Sequence, residues 1–304
     1  MPRPSGSLLS TACLLALLLA SCRSASDGEV VVFHDQGLSA LLGDVVQALR
    51  RETSGLRARL EPSEGTLAVR KISEMGLKAD LVVSCDAAAL ESLLAARKAS
   101  WILSFATDEV VIAHKDHSRF TDEISSANWT EVLNRPGIAL GCADPSTSAT
   151  GAHAVFAWQL AGQPGLRMRC ASDLKVPGEA ELVGLLESRA ADYVFLHRST
   201  AEGHHLKVTA LKPEWNLSRP ELIDAYQTAS LGERRGRPIL CGLTVPEAAV
   251  NPEGARRLLA ALLSEPGRRA LLRAGYRPLD PPVSGQWELL PEPARSLVAR
   301  RPLP

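Results

Sequence analysis

The feature that most constrains this chain is the strand–turn–helix unit that recurs between Glu29 and Ala96. Glu29-Val-Val-Val-Phe-His34 is a short apolar run rich in β-branched residues and reads as a buried strand. It breaks at Asp35-Gln-Gly37, after which Leu41, Leu42, Val45, Val46 and Leu49 recur at helical spacing. Arg57 to Leu60 reads as a second strand, Pro62 to Thr66 as a turn, and Leu67, Val69, Ile72 and Met75 as the apolar face of a second helix. Ala79 to Ser84 is a third strand, with a helix from Ala87 to Ala96 behind it. Strands separated by whole helices cannot pair as hairpins, so this alternation commits the chain to a parallel α/β architecture.

The remainder extends the pattern and breaks it once. Trp101 to Ala113 is long for one strand and is interrupted at Thr107-Asp108, which predicts a strand pair crossing from one domain into another. Asn128 to Leu133 reads as a short capped helix, and Ile138 to Cys142 as a strand. The stretch Leu140 to Gly151 is then a strand end, a turn set by Asp144-Pro145, and a helix start where Ser146, Thr147, Ser148 and Thr150 compete for the cap. Glu179 to Glu187 is an amphipathic helix and Asp192 to His197 a strand closed by Ser199. Residues 200–238 are polar and turn-rich, without a clear period. Ile239 to Val245 reads as the returning strand, followed by helices Pro252–Leu263 and Glu265–Ala274. Prolines from Pro278 onward suggest a tail that wraps the surface or is disordered. The turns at 34–39, 62–67, 142–151 and 196–199 all lie at strand ends where open parallel sheets bind ligands. If two sheets face each other, these turns meet in one cleft. Helix N-termini lined with neutral hydroxyls suit a small anion, although an ordinary cap explains any one of them equally well.

Composition limits the ligand and the compartment. A length of 304 residues suffices for two globular domains, and 34 basic against 34 acidic residues give no field suited to nucleic acid. Aromatic residues at 4% are too few for stacking platforms, so a small polar ligand is expected. Arg3 and the apolar run Ala12–Ala20 form a targeting segment too short to span a bilayer. It ends in Leu19-Ala20-Ser21-Cys22, which resembles the lipobox of bacterial lipoproteins. That resemblance implies a signal peptide at 1–21, diacylation of Cys22 and an extracytoplasmic, membrane-anchored protein; an ordinary secretory signal would leave the compartment unchanged. Cys85, Cys142, Cys170 and Cys241 then face an oxidising space, where four cysteines allow three pairings. Buried free thiols are the other reading of them. His204-His205 with His197 or His153 could suggest a metal, but adjacent histidines in a polar segment read as solvated. Neither a nucleophile elbow, a zinc-protease helix nor a phosphate-binding lysine motif is present, so no enzyme, metal or cofactor is expected.

Several motifs in order carry a family resemblance. They are Val32-Phe33-His34 with Leu38-Ser39, Ala68-Val69-Arg70-Lys71-Ile72 with Lys78-Ala79-Asp80, and Phe105-Ala106-Thr107 with Glu109 to Ala113. Ala127-Asn128-Trp129, Asp144-Pro145 with Gly151, Leu185 to Ser188 with Asp192-Tyr193 and Arg198-Ser199, and Asn251 to Ala255 complete them. Over Val30 to Leu279 the chain resembles the substrate-binding proteins of tungstate/molybdate ABC importers. The resemblance implies a two-lobed, type II periplasmic-binding-protein-like α/β fold of two mixed sheets with flanking helices joined by strand crossings. Lobe I would comprise 22–106 plus 242–280, lobe II 107–241, and 281–304 a C-terminal tail. The ligand would be a tungstate or molybdate oxyanion held by Ser39, Thr66, Asp144, Ser146, Ser148, Thr150 and His197. The partners would be an ABC permease and ATPase and the membrane through the lipid anchor, with no nucleic acid. Family members can add two metal-reaching carboxylates, one in the Asp-Pro…Gly loop and one on the strand ending near residue 196. Here those positions hold Ser148, with Asp144 nearby, and Leu196. These departures, with Gly37 and Asp35, keep a different small anion (sulfate, phosphate or an organic acid) open as an alternative, and the histidines and cysteines keep a periplasmic metal-binding protein open.

Overall fold

The computed structural model describes residues 28–52, 56–63, 66–172, 174–283, 286–292 and 294–297. The lipobox and Cys22 lie outside the described residues. The strands are β1 (Glu29–Asp35), β2 (Arg57–Ser63), β3 (Leu81–Ser84), β4 (Leu103–Thr107), β5 (Val110–His114), β6 (Leu140–Ala143) and β7 (Leu174–Val176). They continue with β8 (Tyr193–His197), β9 (Lys207–Ala210), β10 (Ser230–Leu231), β11 (Arg234–Arg235), β12 (Leu240–Thr244) and β13 (Arg277–Val283). The helices are α1 (Ser39–Glu52), α2 (Leu67–Ser73), α3 (Ala87–Ala95), α4 (Trp129–Leu133), α5 (Ala149–Leu160) and α6 (Leu166–Ser172). After them come α7 (Glu179–Glu187), α8 (Arg198–Gly203), α9 (Ile223–Tyr226), α10 (Pro252–Leu263), α11 (Glu265–Arg273) and α12 (Ala294–Leu297).

Two sheets organise the two lobes. The first runs β13-β4-β12-β3-β1-β2 and the second β7-β6-β8-β5-β9. In the first, β1 pairs in parallel with both β2 and β3, while β12 and β13 run antiparallel to their neighbours. Alternation along β1 sends Val30 and Val32 to a core with α1 and α10, and Phe33 to a separate core with α2 and α3. The second sheet is covered on both faces in the same way. Val110, Ile112, Tyr193 and Phe195 pack against α4 and α5, whereas Val111, Val194 and Leu196 pack with Leu182 and Leu186 of α7. Burial on both faces is why these strands read as continuous apolar runs.

The crossing is at the break in the long apolar run: β4 belongs to the first sheet and β5 to the second. The chain returns through β12. Asp80 helps lock the first lobe, since its carboxylate accepts from the N–H groups of Val31, Val250 and Asn251. Asn251 in turn caps α10 through Gly254 N–H at 2.9 Å. The four cysteines are joined as Cys85–Cys241 in the first lobe and Cys142–Cys170 in the second, which resolves the three possible pairings. Two local readings change. Ser199 lies in the first turn of α8 instead of ending a strand, and the proline-rich tail supplies β13, which pairs with β4 at the sheet edge. Residues 200–238 contain β9 to β11 and α9, none of them longer than four residues, which is too short to show a period. No helix among the described residues is long and apolar enough to cross a membrane.

Candidate functional site

A cavity of about 470 Å³ lies between the lobes and gathers the strand-end turns. The first lobe contributes Asp35 to Ala40, Ser63, Cys85, Asp86 and Tyr276, and the crossing contributes Asp108. The second lobe contributes Thr147 to Thr150, His153, Pro177 to Ala180, His197, Ser199 and Thr200. The starts of α1, α5 and α7 therefore all line it. First-turn N–H groups of a helix have no intrahelical acceptor, so the starts of α5 and α7 offer donors to whatever enters, whereas α1 continues a 3-10 turn (Gln36–Leu38) and its Ser39 N–H already donates to Gln36 O. Gly151 makes one approach possible: a Cβ there would sit 2.5 Å from the Ala143 carbonyl oxygen, so only glycine lets α5 start this close to β6.

The centre of the cavity wall is a chain of ionic hydrogen bonds. Glu179 accepts from Thr150 Oγ1 at 2.6 Å and Thr200 Oγ1 at 2.8 Å, and its Oε1 lies 2.8 Å from His197 Nδ1. The other nitrogen of His197 lies 2.9 Å from His153 Nδ1. Burial alone would discharge His197, but the Glu179 carboxylate, with Asp108 and Asp35 beyond it, outweighs burial and holds the imidazolium up to about 9. Burial likewise opposes the charge on Glu179, yet His197 and the two threonine hydroxyls hold its carboxyl down to about 2. Asp108 accepts from the hydroxyl and N–H of Ser199 and from Glu109 N–H, and burial pushes its carboxyl up. Burial pushes Asp35 up to about 7 although its Oδ2 accepts from Ser84 Oγ at 2.8 Å and Cys85 N–H at 2.6 Å. Its Oδ1 is buried and has no hydrogen-bond partner.

The residues expected from sequence divide by place. Ser39, Ser148, Thr150 and His197 line the cavity. Thr66 stands exposed at the start of α2 and does not line it, while Ser63, three residues earlier, does. Asp144 and Ser146 are outside the lining too. Asp144 accepts from both the N–H and the hydroxyl of Ser146 and lies 2.6 Å from Lys175 Nζ, so it shapes the turn. Lys175 and the Ser146 bonds hold its carboxyl down to about 2. Leu196 is fully buried in the α7 core, so β8 brings no carboxylate to the cavity; the acid on this side is Glu179 at the start of α7.

Lining the cavity is different from having a proton to give. The hydroxyl protons of Ser39, Thr150, Thr200 and Ser199 already go to Gln36 O, Glu179, Glu179 and Asp108. Both nitrogens of His197 are engaged. Ser148 Oγ only accepts, from Gly151 N–H, Thr147 Oγ1 makes no hydrogen bond, and Ser63 Oγ is buried without a partner, so these three hydroxyls remain uncommitted among the described residues. No lysine or arginine lines the cavity. Among the described residues no group of three or more His, Cys, Asp and Glu side chains is arranged to hold a metal ion.

Asp35 is the unfavourable feature of this wall for an anion, and its titration has a stability consequence. Its folded pKa of about 7 lies above its ordinary value, so its contribution to stability is complete below about pH 4 and is lost as pH rises through 7. Asp35→Asn keeps an oxygen for Ser84 and Cys85 while removing the charge. It should stabilise the unliganded protein at pH 8 by up to about 4 kcal/mol, at 1.4 kcal/mol per pKa unit, and leave it unchanged at pH 4. Urea unfolding at the two pH values measures this, and equal effects at both would refute it.

Two α/β lobes with a polar cleft at their strand ends define a ligand-capturing protein of the periplasmic-binding type. Residues 30–277 match the bacterial extracellular solute-binding protein family, and the chain belongs to that family. It is similar to the molybdate/tungstate-binding protein WtpA of Thermococcus kodakarensis, at 30% identity over 99% of this chain and 98% of that protein. Among solved structures it is similar to the periplasmic molybdate-binding protein of Azotobacter vinelandii, with a TM-score of 0.61 at 13% identity over 81% of this chain and 98% of that one. It is also similar to the sulfate-binding protein SubI of Mycobacterium tuberculosis, with a TM-score of 0.62 at 15% identity over 88% and 92% of the two chains. At such identities the structures establish the shared fold.

Proposed function

We propose that this protein is the receptor of an ABC importer, anchored outside the cytoplasm through Cys22, and that it captures molybdate or tungstate in the interlobe cleft without a catalytic step. The observation that carries this reading is the donor inventory of the cavity. Its uncommitted polar groups are neutral hydroxyls, helix-start N–H groups and the free side of the His153 ring, with His204 at the edge; it has no lysine or arginine, and its buried imidazolium is already paired with Glu179. Such a wall holds a compact dianion by many oriented dipoles. The 30% identity with a molybdate/tungstate-binding protein across nearly the whole chain supports the choice of metal oxyanion. A second reading rests on Asp35. Its unpartnered Oδ1 could accept a proton-bearing oxygen, which hydrogenphosphate has and molybdate lacks at neutral pH.

Thermal unfolding of the mature protein with molybdate, tungstate, sulfate and phosphate decides between them. Molybdate or tungstate at a hundredfold excess over Kd should add about 2.7 kcal/mol of stability, with little change from the other two anions. Stabilisation by phosphate or sulfate alone would replace the metal oxyanion with those ligands.

A further inference from the structure

Two imidazoles face each other across 2.9 Å in the cavity wall, His197 Nε2 against His153 Nδ1. Such a contact holds one proton: one nitrogen donates it and the other accepts. Which one donates is set behind His197. With Glu179 at 2.8 Å from its Nδ1, His197 carries protons on both nitrogens and donates to both neighbours. His153 then accepts at Nδ1 and must bear its own proton at Nε2. Burial and the neighbouring His197 charge keep His153 neutral, which agrees with that tautomer. His153 lines the cavity, and among the described residues its Nε2 has no hydrogen-bond partner.

We propose that His153 is a ligand-contact residue of the cleft, presenting Nε2–H to the bound oxyanion, and that Glu179 and His197 are positioning residues that fix this proton. The proposal rests on the anion reading above. Its polarity is switchable. If His197 were neutral with its proton on Nδ1 toward Glu179, its Nε2 would accept from His153 Nδ1–H. His153 would then turn a lone pair toward the anion. The groups that decide this are Glu179 on α7, Asp108 at the crossing and Asp35 at the end of β1, all favouring the charged His197. Beside His153 the further charge is Arg234. The sequence reading counted His197 among the ligand contacts; in this proposal His153, on the side of His197 away from Glu179, makes that contact.

Calorimetric titration of the mature protein with molybdate, across pH 6 to 10, tests the proposal together with nitrogen NMR of the histidine rings. Wild type should show the Nε2–H tautomer at His153 near neutral pH and an affinity that falls in two steps, one near 7 as Asp35 ionises in the cavity wall and one as His197 titrates near 9, with Asp35→Asn removing only the first. His153→Ala should lose roughly tenfold to hundredfold in affinity, the equivalent of one strong hydrogen bond to a charged group. His153→Gln, which restores an N–H near the same place, should recover most of it and show a shallower fall near pH 9, where only the net charge of the His197–Glu179 pair still changes. An Nδ1–H tautomer at His153 without ligand, or wild-type affinity in His153→Ala, would overturn the proposal. Failure of wild type to bind molybdate would instead overturn the functional reading, and the tautomer would still report on the relay.

Discussion

Glu179→Ala should lower the unfolding free energy at pH 7 by about 3 kcal/mol, the lower end of what removing one partner of a buried ion pair costs. The substitution strands three donors at once, the hydroxyls of Thr150 and Thr200 and the Nδ1–H of His197. His197 can relieve its own charge by losing a proton, which keeps the cost from going higher. The pH dependence gives the effect a signature. His197 has a raised folded pKa, so its share of the stability is complete below about 6.5 and is lost as pH rises through about 9. Glu179 has a depressed one, so its share is present above about 4.5 and disappears as pH falls through about 2. The gap between wild type and Glu179→Ala should therefore be widest near pH 5 to 6.5 and narrow toward pH 9. Urea unfolding of both proteins, with His197→Ala and the double variant, measures it. In the double variant the two losses should not add, because each removes the same pair. A gap below about 1 kcal/mol at pH 6, or strict additivity, would show that the pair is not the unit described above.

Removal of the Cys85–Cys241 bridge by alanine at both positions should cost more than removal of Cys142–Cys170. The first links residues 156 apart and the second residues 28 apart. Loop-closure entropy of the unfolded chain then predicts losses of about 5 and about 3.5 kcal/mol. The long bridge is also well placed in the fold. Cys241 lies in β12 next to β3, and Cys85, just past β3, packs against the cores of both lobes while its N–H binds Asp35. Alanine retains that N–H, and both double variants lose two sulfur atoms, so their difference reports mainly on the loops the bridges close. Denaturant midpoints of the two double variants should differ in this order, and the reverse order would mean that unfolded-state entropy is not what the bridges contribute.

Much of the scaffold was legible because its signals are local. Helix starts at Ala149, Pro252 and Glu265 are capped by Ser148, Asn251 and Ser264, each accepting from the N–H three residues on. The lobe crossing showed as a break in an apolar run that was too long. β13 did not show because prolines at 278, 281 and 282 argue against a strand, and only its place at the sheet edge tolerates them.

The site was legible as a set of turns and less so as a set of side chains. Ser146 and Thr150 are hydroxyls beside a helix start in sequence. Only the fold shows that their protons are taken by Asp144 and Glu179. Glu179 carried no signal at all, since an acid in the first turn of a helix is the ordinary complement to the helix dipole. It became a site residue when the start of α7 packed beside the end of β8, the next element in the chain, and met His197 there.

The strand order also dictates a sequence of assembly. β12 sits between β3 and β4 in the first sheet, and β13 closes its edge, yet both follow the whole second sheet in the chain. As the chain lengthens, β1, β2 and β3 can join early, but β4 has no neighbour until Leu240 to Thr244 has been made. The second sheet has all five of its strands by Ala210. The half of the protein that starts the chain is thus the half completed last, and the cleft forms only when the final strands return to it.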